Sequence, residues 1–301
     1  MNATRPITKA VIPVAGWGTR LLPLTKSQPK EMLPVGRKPV VQYVVEELQA
    51  AGLRQILFVT GRKKRAIEDH FDYDQELVGA LQQAGSDLLL QELDYLESDA
   101  SFYYVRQSEP RGLGDAVGRA ADFIGDEDFV VALGDSILTA SDGSLPLQEM
   151  MEAHQRLGAA AVLAVEPVDP DQVHYYGIVA PEGEPPEEGA FPLRDLVEKP
   201  RRETTPSNLA IAARYVFSPA IFDAISRTLP DRQGQLQLTD AARLLVQSGQ
   251  PVYGWRLRRG QRRYDIGNFE SYFKAFIDFA LVDERYGYLA RQYLKAKAYE
   301  I

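Results

Sequence analysis

The chain has 301 residues, of which 45% are hydrophobic, and its 34 basic and 42 acidic side chains give a net charge of −8. A net negative charge argues against a general role on nucleic acid or on an anionic membrane surface. The longest apolar runs are far shorter than the roughly 20 residues of a membrane-spanning helix. With no apolar segment before the first strand and no cysteine, we expect a cytoplasmic protein with neither nucleic-acid nor membrane partners.

Strands and helices alternate through the first half of the chain. Residues 9–14 and 55–60 have the pattern of buried strands, and residues 39–52 between them have that of a helix. The alternation continues with helices predicted at 74–85, 114–125 and 150–157 and strands predicted at 102–107, 129–135 and 159–167. This order predicts an α/β fold with a doubly wound, mostly parallel sheet, whose ligands lie at the carboxyl ends of the strands.

The pattern changes after residue 167. An acidic loop rich in proline and glycine, at 181–192, separates two short strand candidates and predicts a surface hairpin. Further strands are predicted at 208–217 and 252–258, helices at 219–229 and 238–249, and a helical tail at 268–299. We expect one domain over 1–301, made of a first part over about 9–167, a small β insertion over about 168–267 and the tail over about 268–301.

The loop after the first strand is rich in glycine, proline and cations. In the string AVIPVAGWGTRLLPLTKSQPKEMLP, Gly16 and Gly18 follow the strand directly. The loop is not a dinucleotide fingerprint, because Leu21 stands where the third glycine belongs and the second strand ends without an acid. A glycine turn whose N–H groups lie near Arg20 and Lys30 suits a polyphosphate. The alternative is a tight turn with exposed cations.

Two aspartates follow predicted strands. Asp135 ends the strand at 129–135, and Asp265 comes after the strand at 252–258. Two such carboxylates can share a magnesium ion, which takes hard oxygen ligands together with substrate phosphates. Taken singly, each aspartate is more simply a helix cap or a turn residue. The pair therefore needs independent support.

The other charged or reactive residues indicate the function less clearly. Basic runs at 61–65 and 256–265 are readable as phosphate contacts or as solvated surface. The chain has only three scattered histidines, no cysteine and no nucleophile elbow. Acid–base or triad chemistry is therefore hard to place in this sequence.

The opening string resembles the signature of the bacterial UTP–glucose-1-phosphate uridylyltransferases, a group within the sugar-nucleotide pyrophosphorylase family. The resemblance continues in order through the strings YVRQSEPRGLGDAV, ALGDSIL, YYGIVAP, LVEKP, QLQLTDAARLL and RRYDIGN, and covers about residues 9–280. It implies a Rossmann-like nucleotidyltransferase fold and a reaction that converts UTP and glucose 1-phosphate into UDP-glucose and pyrophosphate. The attacking phosphate oxygen is ionised at neutral pH, so cations and positioning are needed rather than a general base.

The resemblance also assigns roles to residues at matching positions. It implies Mg²⁺ as the cofactor, held by Asp135 and Asp265. It implies nucleotide contacts at Ala15, Gly16, Gly18, Thr19, Glu31, Gln107 and Gly112, catalytic cations at Arg20, Lys30 and Lys199, and sugar contacts at Gly177, Glu198 and Lys199. Its partners are small-molecule substrates, and the helical tail suggests a homo-oligomer.

The match departs from the usual pattern of these uridylyltransferases at several positions. Arg111 replaces a lysine, Asp115 a histidine, Gln235 a carboxylate and Phe269 a lysine, and Gly134 stands where proline is more common. Uracil and thymine present the same hydrogen-bonding edge to an amide. A thymidylyltransferase or a uridylyltransferase for another sugar therefore stays open. A catalytically silent nucleotide-sugar sensor is disfavoured, because it has no need of both aspartates and the matching lysines.

Overall fold

The computed structural model describes residues 5–97 and 99–298. The two ends of the expected domain, at 1–4 and 299–301, lie outside the described residues, as does residue 98. Residue 299, the last residue of the predicted helical tail, is therefore also outside the described residues. Within the described ranges, no helix combines the length and the apolar composition needed to cross a membrane.

The first half of the chain alternates between strands and helices as predicted. Its strands are β1 (Lys9–Pro13), β2 (Pro34–Val35), β3 (Lys38–Pro39), β4 (Gln55–Thr60), β5 (Ser101–Arg106), β6 (Phe129–Ala132), β7 (Ser136–Ala140) and β8 (Ala161–Pro167). Its helices are α1 (Val40–Ala50), α2 (Arg65–Phe71), α3 (Gln75–Gln83), α4 (Asp87–Gln91), α5 (Leu113–Gly118), α6 (Ala121–Ile124) and α7 (Pro146–Leu157). The one helix expected over 114–125 is two, because Ala120 N bonds to Val117 O in a tighter turn.

The second half supplies five strands and four helices among the described residues. The strands are β9 (Gly177–Pro181), β10 (Gly189–Glu198), β11 (Leu209–Phe217), β12 (Val252–Arg256) and β13 (Gln261–Asp265). The helices are α8 (Ala220–Arg227), α9 (Leu238–Gln247), α10 (Phe269–Val282) and α11 (Gly287–Lys297). The predicted hairpin is the antiparallel pair β9–β10, and α10 with α11 forms the predicted helical tail.

The main sheet has nine strands in the order β5-β4-β1-β6-β11-β8-β12-β10-β9. Only β10 and β11 run against the other strands of this sheet, so it is mixed, with one common direction prevailing. One apolar cluster packs α5, α8 and α9 on one face, and another packs α1, α2 and α7 on the opposite face. The sheet is therefore doubly wound, with β11 of the second half inserted between β6 and β8 of the first.

A separate two-stranded ribbon, β7–β13, stands beyond the end of β6. The predicted strand at 129–135 ends at Ala132, because the chain turns over 133–136, where Ser136 N bonds to the Leu133 carbonyl oxygen over 3.3 Å. In the ribbon, Asp265 pairs with Ser136. A third apolar cluster joins the ribbon, the opening loop and α10, and so fixes them relative to one another.

Candidate active site

The opening loop after β1 is shaped by a glycine with left-handed backbone. Gly18 has φ of 67° and begins a short 3₁₀ turn over Thr19–Leu21. The Thr25 hydroxyl donates to the Gly18 carbonyl oxygen over 2.8 Å. A Cβ on Gly18 would lie 3.1 Å from Thr25 Cγ2 and 3.2 Å from Lys30 Cβ, so the position also lacks space for a side chain. The turn thus holds the loop close against Lys30.

A cavity of about 420 Å³ lies between this loop and the segment that follows β5. Nine of the predicted site residues line it, namely Ala15, Gly16, Gly18, Thr19, Lys30, Glu31, Gln107, Gly112 and Asp135. The sequence did not assign Trp17 or Pro110, which also line the cavity, and Trp17 is 71% exposed. Gln235, noted from the sequence only as a departure, lines it as well. Backbone N–H groups, one amide and a lysine–carboxylate pair are donors and acceptors suited to a nucleotide.

The far wall of the cavity depends on contact between two segments distant in sequence. Gly112 has φ of 100°, and a Cβ on it would lie 2.4 Å from the Leu236 carbonyl oxygen. Leu236 N bonds to Arg111 O over 2.7 Å, and Gly114 N bonds to Leu236 O over 2.8 Å. The loop before α5 is therefore joined to the segment before α9, which brings Gln235 to the cavity.

Lys30, Asp135 and Asp265 meet where the loop reaches the ribbon. The Lys30 ammonium forms an ion pair and a hydrogen bond with Asp135 Oδ2. Ile266 N, the residue after Asp265, donates to the Asp135 carbonyl oxygen over 2.9 Å. Arg20 lies on the same side, since a Cβ on Gly267 would be 2.8 Å from Asp265 Oδ1 and 2.9 Å from Arg20 Nη2. The structure therefore places both predicted aspartates with both predicted loop cations.

The pKa values of these groups follow from burial and from one another. Burial disfavours the charged forms of Lys30 and Asp135, but their mutual attraction outweighs it, so the pKa of Lys30 is raised and that of Asp135 is lowered. Burial raises the pKa of Asp265, and the nearby negative charge of Asp135 raises it further, although Arg263 opposes the shift. A second positive charge at this point would favour the ionised form of Asp265.

The two aspartates suit a hard divalent cation whose other ligands come from elsewhere. Among the described residues, no group of three or more histidine, cysteine, aspartate or glutamate side chains is placed to hold a metal. Mg²⁺ is commonly held by one or two carboxylates together with substrate phosphates. Burial, and then the charge of Asp135, raise the pKa of Asp265, so a cation beside the two carboxylates would favour its ionised form. The donor set therefore fits a hard divalent cation whose remaining ligands come from a phosphate substrate.

Glu31 is at the floor of the cavity and is engaged by a buried lysine. Lys64 Nζ donates to Glu31 Oε2 over 2.7 Å, and both side chains are buried. Burial raises the pKa of Glu31 and lowers that of Lys64, although each attracts the other's charge. Glu31 thus lines the predicted nucleotide site while one of its oxygens is held by Lys64.

The predicted sugar residues form a second group at the β9–β10 hairpin. Glu198 pairs with Gly177 across the hairpin, and Thr239 Oγ1 donates to Glu198 Oε2 over 2.7 Å. A Cβ on Gly177 would lie 2.6 Å from Thr239 Oγ1 and 3.2 Å from Glu198 Oε2, so only glycine leaves room for this bond. Lys199 Nζ lies 3.1 Å from Glu198 Oε1, and its backbone has φ of 46°. Such a conformation in a lysine is strained and is typical of functional sites.

β11 connects the two groups, since a Cβ on Gly177 would lie 3.0 Å from Ile211 Cδ1 and Leu133 N donates to the Ala213 carbonyl oxygen over 3.1 Å. Tyr215 lies on the same strand. It is buried, and burial raises the pKa of its hydroxyl. The charge of Glu198 contributes to this rise, and so does the charge of Asp135. The predicted sugar residues and the aspartates are therefore linked through one strand, because Ile211 and Ala213 are two residues apart on β11 and Leu133 precedes Asp135 by two residues.

The sequence analysis missed a buried cation beneath the Asp135 turn. Arg214 is fully buried, and its guanidinium bonds to both carboxylate oxygens of Glu47 at 2.6–3.2 Å. It also donates to the Ser136 carbonyl oxygen over 2.9 Å. Arg214 therefore supports the residue after Asp135 without lining the cavity. No signal in the apolar string NLAIAARYVF distinguishes this role.

The basic run at 61–65 was predicted to be either a set of phosphate contacts or solvated surface, and its residues differ in their surroundings. Lys64 is buried against Glu31, whereas Arg62 and Lys63 are exposed and line a second cavity of about 550 Å³ that adjoins the first. Lys26 lines the same cavity, and none of its lining residues in the described part of the chain is a carboxylate. This cavity is a positively charged extension of the first cavity.

The other basic run, at 256–265, is largely structural. Arg263 is mostly buried, bonds to Glu166 Oε1 over 2.6 Å and lies 3.5 Å from Asp265 Oδ2. Arg262 bonds instead to Asp278 of α10 over 3.2 Å. These arginines fix the ribbon and its neighbours, and Arg263 orients Asp265.

Comparisons with known proteins agree with this geometry. A profile of the nucleotidyl transferase family matches residues 9–280. A UTP–glucose-1-phosphate uridylyltransferase of Staphylococcus saprophyticus is 44% identical over 280 residues, which are 93% of this chain and 94% of that protein. The UTP-bound UGPase of Acinetobacter baumannii is 36% identical with a TM-score of 0.88, over 96% of this chain and 99% of that one. A UDP-glucose pyrophosphorylase complexed with UDP-glucose is 36% identical with a TM-score of 0.81. This match covers 91% of this chain and 98% of that one.

The family profile covers the cavity, the aspartate pair and the sugar group together. The similarity to relatives extends along nearly their whole length. The chain therefore belongs to the nucleotidyl transferase family, among relatives that are UTP–glucose-1-phosphate uridylyltransferases.

Proposed function

We propose that this protein transfers UMP from UTP to glucose 1-phosphate, giving UDP-glucose and pyrophosphate. The observation that carries this proposal is that one cavity combines the predicted nucleotide residues with the Lys30–Asp135 pair. The proposal is supported by relatives with this activity at 41–44% identity over most of the chain.

The nucleotide is assigned to the part over 9–167. Gln107 and the backbone near Gly16 and Gly112 face the cavity from opposite walls, an arrangement that suits a pyrimidine base. The N–H groups of the glycine turn, with Arg20 and Lys30 beside it, are assigned to the triphosphate. The exposed cations of the second cavity extend this positive region.

The reaction is an in-line displacement at phosphorus. An ionised phosphate oxygen of the sugar phosphate forms a bond to the α-phosphorus of UTP, and the bond from that phosphorus to the bridging oxygen of the β-phosphate breaks. Pyrophosphate leaves with the electron pair, so no proton transfer is needed. Lys30, Arg20 and Lys199 lower the repulsion between the two anions and hold them in line.

Members of the nucleotidyl transferase family generally use a divalent metal, and Mg²⁺ is the proposed ion. Asp135 and Asp265 would hold it, together with phosphate oxygens of the substrates. When bound, Mg²⁺ would supply positive charge to the reacting phosphate. Lys30 keeps Asp135 ionised, since its charge lowers the pKa of that carboxyl.

The sugar phosphate is assigned to the part over 168–267. Glu198 is oriented by Thr239 and offers acceptors to sugar hydroxyls, while Lys199 offers a cation to the phosphate. Gly177 keeps the hairpin close to both. β11 connects these residues to the segment before Asp135, and an attacking phosphate has to arrive near that carboxylate.

The test is a coupled pyrophosphate-release assay across UTP, dTTP, CTP, ATP and GTP with a panel of sugar 1-phosphates. We expect the highest kcat/KM with UTP and glucose 1-phosphate. Best turnover with dTTP would reassign the protein as a thymidylyltransferase, and a different preferred sugar would change only the acceptor. Binding of UDP-glucose with no release for any pair would indicate a silent sensor and overturn the proposal.

Self-association through the tail is a further part of the proposal. α10 buries Tyr272 and Ala275, while large apolar side chains of α10 and α11 stay exposed, among them Phe273, Ile277, Leu289 and Tyr293. Phe273 and Ile277 are one helical turn apart, as are Leu289 and Tyr293, and exposed apolar stripes of this kind suit a second copy of the chain. Light scattering after size exclusion is expected to give an oligomer, and Phe273→Glu to dissociate it. Monomeric wild-type protein would contradict this part alone.

The expected cytoplasmic location also belongs to the proposal. UTP, glucose 1-phosphate and UDP-glucose are all highly charged phosphate esters, and transfer of such charges into an apolar layer is strongly unfavourable. The enzyme has to share a compartment with its substrates. Fractionation of cells is expected to recover the protein with the cytosol.

A further inference from the structure

Gln107, at the end of β5, holds its side-chain amide in one orientation. Its Nε2 donates to Asp115 Oδ2 over 2.7 Å and to the Gly112 carbonyl oxygen over 3.1 Å. These two bonds use both hydrogens of the amide nitrogen. Gln107 is 6% exposed and lines the cavity. Among the described residues, no donor is bonded to its Oε1, so the carbonyl oxygen is the part of the amide that is free for a ligand.

Asp115 determines which end of the Gln107 amide faces the cavity. An ionised carboxylate accepts hydrogen bonds and donates none, so it can face only the nitrogen end of the Gln107 amide. The carboxylate is itself held, because Arg119 Nη2 lies 3.2 Å from Asp115 Oδ1 one turn later in the helical segment. With its two oxygens on different partners, Asp115 has little freedom to release Gln107.

The presented oxygen distinguishes pyrimidines by the state of their ring nitrogen N3. Uracil carries a hydrogen on N3 and can donate it to a carbonyl oxygen. Cytosine has a lone pair on N3, so the same carbonyl oxygen would face a second acceptor. A polar site left with an unmatched group rejects a ligand far more strongly than an apolar one does.

We propose that Asp115 is a positioning residue that gives the nucleotide site its preference for UTP over CTP, by fixing the Gln107 amide with its oxygen towards the base. The proposal rests on the proposed function for the identity of the nucleotide. It does not concern thymine, whose N3 also carries a hydrogen.

The experiment compares kcat/KM for UTP and for CTP in the wild type, Asp115→Ala and Asp115→Asn. In Asp115→Ala only the Gly112 carbonyl oxygen still opposes rotation of the amide, so we expect the UTP-to-CTP ratio to fall about tenfold or more. Asparagine can face either end of the Gln107 amide, so Asp115→Asn should also lower the ratio while keeping the shape of the side chain. Asp122→Ala, which removes an exposed carboxylate from α6, should leave the ratio unchanged.

A ratio within twofold of wild type in both Asp115 variants would overturn the proposal, including the case in which both kcat/KM values fall by the same factor. Equal falls would mean that Asp115 only supports the fold. Calorimetric Kd values for UTP and CTP supply the same ratio if a variant binds without turnover. Absence of UTP turnover in the wild type would refute the proposed function, whereas an unchanged ratio of Kd values would refute the role of Asp115.

Discussion

The ammonium of Lys30 donates a hydrogen bond to the carboxylate of Asp135, although 105 residues separate them along the chain. The pair lies where the opening loop meets the turn between β6 and β7. Each side chain is largely buried, so each charge depends on the other to stay ionised. Removing one partner leaves the other buried charge without its ion-pair partner, with compensation only from Glu31 and Asp265 for Lys30 or from Lys64 for Asp135.

Asp135→Asn is expected to lower kcat by about a hundredfold or more, because an amide is a poorer ligand for a divalent cation and leaves Lys30 unpaired. The asparagine has nearly the same shape, so we expect the fold to persist. Steady-state turnover with UTP and glucose 1-phosphate measures the effect, and circular dichroism checks the fold. Asp122→Asn on the surface is the matched control. Near wild-type turnover in Asp135→Asn would rule out the metal role.

Asp265→Asn is expected to stabilise the metal-free protein while lowering turnover. Burial, and then the charge of Asp135, raise the pKa of Asp265 above its ordinary value, so the folded state binds that proton more tightly than the unfolded state does. Between the two pKa values the folded state carries more protons, and the free energy of unfolding therefore falls as pH rises through this window. At pH values above the folded-state pKa, the free energy of unfolding stays lower by the full amount.

At neutral pH without divalent cations, Asp265→Asn should therefore raise Tm by about one to three degrees. The difference from wild type should shrink as the pH is lowered through the window, since the wild-type carboxyl becomes neutral. Thermal melts in EDTA across this pH range measure it. A lower Tm for the variant at neutral pH would show that Arg263 and Arg20 outweigh the burial of Asp265.

Thr239→Val removes the hydroxyl that donates to Glu198 Oε2 and keeps the shape of the side chain. We expect KM for glucose 1-phosphate to rise about five- to tenfold, because Glu198 loses the bond that orients it. KM for UTP should stay within twofold. Thr228→Val is the control, since within the described part of the chain that buried hydroxyl bonds only to the Ala224 carbonyl oxygen of α8. An equal rise in both KM values would point to a general disturbance.

Arg214→Leu leaves Glu47 buried without its partner and the Ser136 carbonyl oxygen without a donor. Loss of one partner from a buried pair costs about 3–5 kcal/mol of unfolding free energy. Chemical denaturation measures the loss, with Arg65→Leu on the surface expected to change stability by less than about 0.5 kcal/mol. If Arg214→Leu does not fold, Arg214→Lys should give a smaller loss, because lysine keeps the charge without the fork. Wild-type stability in both would remove the role assigned to Arg214.

The first half of the fold was predictable because most of its longer strands, such as β1, β4, β6 and β8, are buried and its longer helices are amphipathic. Asp135 could be located near the ligand edge because it follows such a strand. The strand β13 could not be predicted from the sequence, because the string QRRYD has a single apolar residue. Among the described strands, β13 pairs only with β7. The role of Asp265 could be predicted only from the family resemblance, because the residues around Asp265 have no pattern that predicts the β7–β13 ribbon.

Long-range partners were beyond the reach of the sequence. Gln107 could be predicted to contact the base from its residue type, but the carboxylate that bonds to it lies eight residues later, in the first turn of α5. Arg214 stands in an apolar string that correctly predicts a strand, while its partner Glu47 is 167 residues away. Pattern and propensity describe single elements, whereas these bonds depend on how the elements pack.

The ribbon also determines where this chain can change its length. Residues 182–188 join β9 to β10, and an insertion in that loop leaves the pairing of Asp265 with Ser136 as it is. Loss of one residue within β13 would instead shift the register and turn Asp265 to the opposite face of the ribbon. Insertions and deletions are therefore expected to accumulate at the hairpin loop during divergence, and to be absent from β7 and β13 in any descendant that keeps its activity.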